Sequence, residues 1–291
     1  MHVAIYVVRS QRFRVLLPRA SRPSSPAMFA IGAAHNLAAY VLPAKTGEVT
    51  LVMYLKALGG VPAAEGLAAL FVSRLLDLAT LFAALALAVV HLSTIGAALP
   101  LRWLGLAALL ALGAAVLFAL SARSDVLVRA AAWIGKRAGL ARGGLGLKLL
   151  ARAEDLALAL RRAPAGRALW VAALQSLAMW ALIFLFYGIL ARGFGLGGEL
   201  DLARAGFGSS LAVLTNLLPI NSFAGFGTQE GGWVLGFGLL GVPRDLALST
   251  GLSVHLAQLA STVLLGALGH AAMGWFPRRS PVEGSGAPRV G

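Results

Sequence analysis

The sequence predicts an all-α fold, a polytopic membrane helical bundle carrying two broken, re-entrant hairpins arranged as an inverted repeat. Three observations lead there. The 291-residue chain is 59% hydrophobic and 12% charged, with a mean hydropathy of +0.82, a balance that a soluble domain does not show. Its apolar stretches include several of span length. Two shorter stretches are each interrupted by a proline and glycine-rich bend, and the same order of residues recurs around both bends.

Net charge is +14, from 25 basic and 11 acidic residues. Most of the basic residues cluster in three blocks: Arg9, Arg12, Arg14, Arg19 and Arg22; ten residues from Arg123 to Arg167; and Arg278, Arg279 and Arg289. These blocks flank candidate spans, as the positive-inside rule expects, which argues against nucleic acid as a partner. Absence of cysteine removes thiolate chemistry and cysteine metal sites, and the five histidines are not closely spaced. No cofactor or metal motif is legible.

Taken in order, Val3 to Val8 reads as the stub of a span followed by arginines. Residues 28–42 are apolar but shorter than the roughly 20 residues a crossing needs, and Pro43 breaks them. A second short helix covers 48–58. Spans are expected at 62–91 and 100–121, joined by an uncharged turn around Ser93 to Pro100. Residues 123–166 form a basic segment that reads either as amphipathic helices in the cytoplasmic headgroup layer or as a connecting loop. Residues 167–191 cross again. Two short pieces, 202–218 and 229–241, flank Pro219 and the bend containing Gly225 and Gly227, before a final span from Pro243 to about Trp275. The whole is expected as one membrane domain over 1–291, with a first repeat at 28–91, a second at 202–275 and a disordered cytoplasmic tail at 276–291.

The repeat rests on a shared order. The first copy reads Asn36, Pro43, Thr46-Gly47-Glu48, Gly60-Val61-Pro62, Arg74 and Asp77; the second reads Asn216, Pro219, Thr228-Gln229-Glu230, Gly241-Val242-Pro243, His255 and Gln258. Proline 62 to Arg74 and proline 243 to His255 are both twelve residues, and each polar pair is separated by three. We read this as internal duplication. Counting crossings from a cytoplasmic amino end puts every basic block inside and gives the two repeats opposite orientation, as in many secondary transporters.

Seven positions within these apolar stretches are candidate cavity residues: Lys45, Glu48, Arg74, Asp77, Glu230, His255 and Gln258. Glu48 and Glu230 each follow a threonine able to cap the helix they begin. Local stabilisation is one reading, and a shared wet pocket between half-helix ends near the bilayer midplane is the favoured one. Arg74 and Asp77, one turn apart, are equally a structural ion pair and a substrate contact. For His255 and Gln258, helix-to-helix hydrogen bonds are favoured, and His255 alone is weak evidence for proton linkage. Asn36, Asn216 and His35, on the entering half-helices, read as helix-packing groups, with lining of the same cavity as the alternative, and Trp170, Trp180, Trp233 and Trp275 as interface anchors or packing. Gly225 and Gly227 lack the strand and the Lys-Ser/Thr ending of a phosphate loop, so a membrane bend is preferred.

The run Pro43-Ala44-Lys45-Thr46-Gly47-Glu48, then Ser73-Arg74-Leu75-Leu76-Asp77, and Pro219 through Gly225-Phe226-Gly227-Thr228-Gln229-Glu230 with Gly241-Val242-Pro243 resembles the lysylphosphatidylglycerol synthase transmembrane-region family, also described as flippase-like. The resemblance spans roughly residues 5–275. It implies a multi-pass inner-membrane protein with lipid partners, anionic or polyprenyl-linked. Some members carry a fused aminoacyl-transfer domain, for which this sequence leaves no room, and the helices that precede the first proline motif are expected to be reduced to Val3–Val8. The functional expectation is movement of a lipid or lipid-linked amphiphile between leaflets, with Lys45 and Arg74 drawing a phosphate headgroup and Glu48 and Glu230 taking a cationic moiety or a proton. The alternative is a non-transporting partner of an envelope-lipid or glycan biosynthesis enzyme. A membrane enzyme ranks third, since no acid-base or metal constellation is legible.

Overall fold

The computed structural model describes residues 1–94, 103–163, 165–197, 200–217 and 223–277, leaving aside the side chains at 43–45, 142, 216 and 217. Pro219, most of the turn expected at 93–100, nearly all of the tail expected at 276–291, and the side chains of Pro43, Lys45 and Asn216 therefore lie outside the described residues. The described residues are almost wholly helical and hold eleven α-helices. The fold is an all-α membrane bundle.

Among the described residues, four helices are long and apolar enough to cross a membrane: α4 (Ala63–Thr94), α5 (Leu104–Ala122), α8 (Arg167–Gly193) and α11 (Arg244–Met273). Five are shorter: α1 (His2–Leu16), α2 (Ser25–Val41), α3 (Val49–Gly59), α9 (Leu202–Leu217) and α10 (Thr228–Gly238). Local chemistry accounts for these limits. The Ser24 hydroxyl accepts the Ala27 N–H at the start of α2, with Pro26 in the first turn. At its end, Leu42 is extended, as a residue before proline must be, and Pro43 turns the chain into a 3-10 segment, Pro43–Glu48.

Both short inner helices stop by the same device. Gly60 (φ 64°) follows α3 and Gly241 (φ 83°) stands just past α10, each in a left-handed conformation that glycine adopts without steric cost. The next residue then reaches back into the helix: Val61 N–H to Leu55 C=O, six positions back, at 3.2 Å, and Val242 N–H to Phe237 C=O, five positions back, at 3.1 Å. Proline opens the long helix that follows in both cases.

The repeated unit is larger in the structure than in the sequence pattern. Helix, break, short helix and long helix recur as α2–α4 and α9–α11. The packing adds α1 and α8, because α1 lies against α2 and α4 much as α8 lies against α9 and α11. Across the units, α2 packs on α11, α9 on α4, and α1 on α8, the pairing that a two-fold relation between repeats produces. The two bends meet where the 3-10 segment at Pro43–Glu48 touches the turn Phe223–Gly225.

The run Val3–Val8 lies within α1, a 15-residue helix that buries Ile5, Tyr6, Ser10, Arg12, Phe13 and Leu16 while Val3 and Val7 face outward. Two arginines of the first basic block turn into the bundle: Arg12 is 1% exposed and Arg9 hydrogen-bonds Asn36. Arg14 and Arg22 donate to the backbone carbonyls of Pro23 and of Leu17 and Val15, and Arg19 is exposed. For Arg9 and Arg12, polar partners inside the bundle offset the cost of leaving water.

The basic segment folds as a helical pair, α6 (Ser124–Arg137) and α7 (Gly144–Arg162), with α7 resting on α4. Ion pairs join Lys136 to Glu154 and Arg161 to Asp125. Trp133, Ile134, Leu145 and Leu149 stay exposed beside basic residues, the amphipathic alternative of the two readings.

Candidate functional site

The first bend ends in a carboxylate held by an arginine. Gly47 permits the turn, since a Cβ there would run into the backbone of Ala38 and Ala39. Glu48 follows and caps nothing in α3; it faces Arg74 of α4, whose Nη2 lies 2.5 Å from Oε1 and 2.6 Å from Oε2. Arg74 Nη1 also donates to Asp77 Oδ2 at 3.0 Å, an ion pair along one helix face. His35 stands close by, Nε2 3.8 Å from the Glu48 carboxylate and Nδ1 3.2 Å from the Thr50 hydroxyl.

Asp77 is the centre of this network and is 1% exposed. Arg12 grips it through two nitrogens, Nη1 to Oδ1 at 2.5 Å and Nη2 to Oδ2 at 3.1 Å, and spends further hydrogen bonds on Ser176 (2.8 Å) and Ser73 (3.0 Å). The Trp180 indole N–H donates to Asp77 Oδ1 at 3.1 Å. Burying ions costs several kcal/mol each unless charge and hydrogen bonding are both satisfied, and three helices, α1, α4 and α8, supply the partners of Asp77 and of both terminal nitrogens of Arg12. Trp180, expected as packing or an anchor, is therefore part of a charge network; Trp170 and Trp275 are exposed, and Trp233 is buried.

The second bend repeats the plan with different chemistry. Ala224, Gly225 and Gly227 all have positive φ (51°, 79° and 81°), so the chain reverses sharply before α10. Thr228 does not cap the helix, because its hydroxyl donates to Gly225 C=O. Glu230 does so itself, accepting the Gly227 N–H on Oε2 at 2.7 Å, while Oε1 meets His255 Nδ1. The other His255 nitrogen lies 3.0 Å from the Ala224 carbonyl, and Tyr40 and Phe226 pack on the ring. His255 thus ties α11 to the bend. Gln258, one turn on, accepts from Tyr187 at 2.9 Å and from Gln229 at 3.1 Å, and Gln229 in turn accepts from Tyr40 at 3.1 Å.

Between the repeats lies a cavity of about 890 Å³, a volume that includes its open mouth. Arg74, Asp77, Gln258 and Asn36 line it, and so do Arg9, Tyr6, Tyr40 and Tyr187, which the sequence pattern did not single out. Glu48, Glu230 and His255 are not among its wall residues. The expected pocket shared by two carboxylates is thus corrected: each glutamate is engaged by the base of its own repeat, and other residues, Asp77 among them, form the wall. One signal in α1 was readable beforehand. Ile5, Arg9, Arg12 and Leu16 share one helix face, which turns two arginines toward the side that carries apolar core residues.

Among the described residues no group of three or more histidine, cysteine or acidic side chains is placed to hold a metal ion. No curated protein and no solved structure matches this chain. The family model described as the lysylphosphatidylglycerol synthase TM region matches residues 1–266, a range that takes in α1, both bends and the ion-paired cavity wall. The chain is a membrane protein and belongs to the lysylphosphatidylglycerol synthase transmembrane-region family.

Proposed function

We propose that this protein moves, or assists the movement of, a lipid or lipid-linked amphiphile between the leaflets of the inner membrane. The observation that carries the reading is the polar cavity at the junction of two broken hairpins, walled by Arg9, Arg74, Asp77 and Gln258 within a bundle whose outer helices are apolar. Ionisable groups at such depth are costly and are typical of substrate paths, and interrupted helices meeting between repeats are a recurrent transporter design. The headgroup would enter the cavity while the tails stay in lipid. On this reading the repeats have opposite orientation, the basic helices α6 and α7 and the carboxyl terminus are cytoplasmic, and the chain is not an enzyme.

The test is translocation of a headgroup-labelled lipid in vesicles holding the purified protein. Acceleration over protein-free vesicles, lost in Arg74→Gln while the protein keeps its helical circular dichroism, supports transport; equal rates with and without protein overturn it. A second reading, a non-transporting partner of an envelope-lipid or glycan biosynthesis enzyme, is favoured by one observation: Glu48 and Glu230 are both satisfied internally. Copurification of a synthetic enzyme together with inactive vesicles is the result that selects it.

A further inference from the structure

We infer that His255 and Glu230 together form the binding site of a proton, and that this proton locks the second bend onto α11. As the coupling ion of transport it rests on the reading above and names its energy source. Each nitrogen of the His255 ring faces an oxygen: Nδ1 meets Glu230 Oε1, and Nε2 lies 3.0 Å from the Ala224 carbonyl. A backbone carbonyl only accepts, and so does an ionised carboxylate. Both contacts therefore need a hydrogen, and a neutral imidazole carries one. The second is the bound proton, and either placement, on Nδ1 or on Glu230, satisfies both contacts. Without it, one of the two sets a bare nitrogen against an oxygen and parts.

Those two contacts fasten the bend. Glu230 lies in the first turn of α10, where its other oxygen keeps the Gly227 N–H at 2.7 Å. Ala224 sits in the turn itself with φ 51°, a left-handed conformation that alanine keeps only when its surroundings hold it there. The site is shut off from bulk water, His255 being 0% and Glu230 7% exposed. Among the described residues Glu230 forms an ion pair with His255 alone, so no arginine or lysine supports the carboxylate once the proton leaves. Around the pair, α2 presents Tyr40, edge-on to the ring, while its His35 lies by Glu48. From α8, Tyr187 joins the site through Gln258 and Gln229, and at the first bend Glu48 is held by Arg74. The charged groups of α9 and α11, Arg204, Arg244, Asp245 and His270, make no ion pair with Glu230. Tyr40 also lines the cavity, which puts the proton one side chain from the headgroup path. The first repeat has no such site, because Arg74 brings its own hydrogens to Glu48. In each cycle the pair takes one proton from water on one side, passing from one negative charge to none, and returns it to water on the other; no electrons move.

The experiment places one spin label on the second bend of the full chain in nanodiscs, through Phe223→Cys, a 65% exposed position in a protein with no cysteine of its own. Label mobility, followed between about pH 5 and about pH 8, should be low in acid and rise reversibly as the proton leaves. Glu230→Gln should stay immobile throughout, since its amide N–H donates to Nδ1 while its oxygen keeps Gly227. His255→Phe should be mobile throughout. A label at Leu109→Cys on α5, which packs on α4 and α6, should not respond. Mobility that ignores pH in the parent, a Glu230→Gln label that still responds, or an equal response at Leu109 overturns the assignment. If the variants do not fold, the parent profile decides alone. In vesicles, a gradient of about one pH unit should shift the leaflet ratio of a labelled lipid by up to about tenfold at one proton per lipid, and Glu230→Gln should abolish that shift. Transport indifferent to the gradient overturns the coupling and leaves the transport reading standing; a bend that responds to pH without any transport sinks the transport reading and leaves the proton site.

Discussion

Arg74 and His255 occupy the same place in the two repeats, each twelve residues after the proline that opens its long helix, and each binds the glutamate of its own bend. Arg74 holds Glu48 through one nitrogen shared between two oxygens; His255 holds Glu230 while its other nitrogen reaches Ala224. A guanidinium thus secures the first bend and an imidazole the second. The two halves are alike in plan and unlike in chemistry.

Asp77→Asn should be among the most damaging single changes. It would leave Arg12, 1% exposed, without its buried counter-charge, and breaking such a pair costs about 3–5 kcal/mol. Thermal unfolding in detergent should show the loss, and the double variant Arg12→Met with Asp77→Leu should recover a large part of it.

Glu230→Gln and Glu230→Ala are expected to separate. Glutamine keeps an oxygen for the Gly227 N–H, so the start of α10 survives, whereas alanine removes that cap and should cost about 1 kcal/mol more. Comparing unfolding midpoints of the two variants checks this. If the His255 pair serves transport, both should lose translocation equally.

Helix crossings depend on glycine at identifiable points. A Cβ at Gly236 would collide with the Gly208 carbonyl of α9, and one at Gly232 would come within 2.6 Å of the Ala212 Cα. Gly236→Ala should therefore destabilise by about 1–3 kcal/mol through overpacking. Gly231, in the same helix with nothing within 4 Å of such a Cβ, should tolerate alanine and gain up to about 1 kcal/mol from helix propensity. A chemical-denaturation series on the three proteins distinguishes the positions.

Absence of cysteine makes topology directly testable. Lys136→Cys on the exposed face of α6 should react with a membrane-impermeant maleimide in inside-out vesicles and stay unlabelled in intact cells. Labelling in intact cells would reverse the orientation proposed for the basic helices.

Much of this fold was legible in the chain because its determinants are local. Apolar length sets the spans, proline ends α2 and opens α4, and Gly60 and Gly241 close α3 and α10 through hydrogen bonds that reach back six and five residues. The spacing of Arg74 and His255 from their prolines was readable for the same reason. Their pairing with Glu48 and Glu230 was not, because it depends on how each bend folds back on the long helix. The seven candidate positions therefore divided in the structure. Arg74, Asp77 and Gln258 line the cavity, Glu48, Glu230 and His255 lie behind it, and Lys45 lies outside the described side chains.

By itself the sequence determined that this is a helical membrane protein with two interrupted hairpins, since hydrophobic length and backbone breaks act over a few residues. Tertiary structure alone decided that Arg12 meets Asp77, 65 positions away, and Ser176, 164 away, and that Arg9 faces the cavity instead of the headgroups. Charge placement in a bilayer depends on where the compensating partner lies, and that partner is brought near only when α1 packs among α2, α4 and α8.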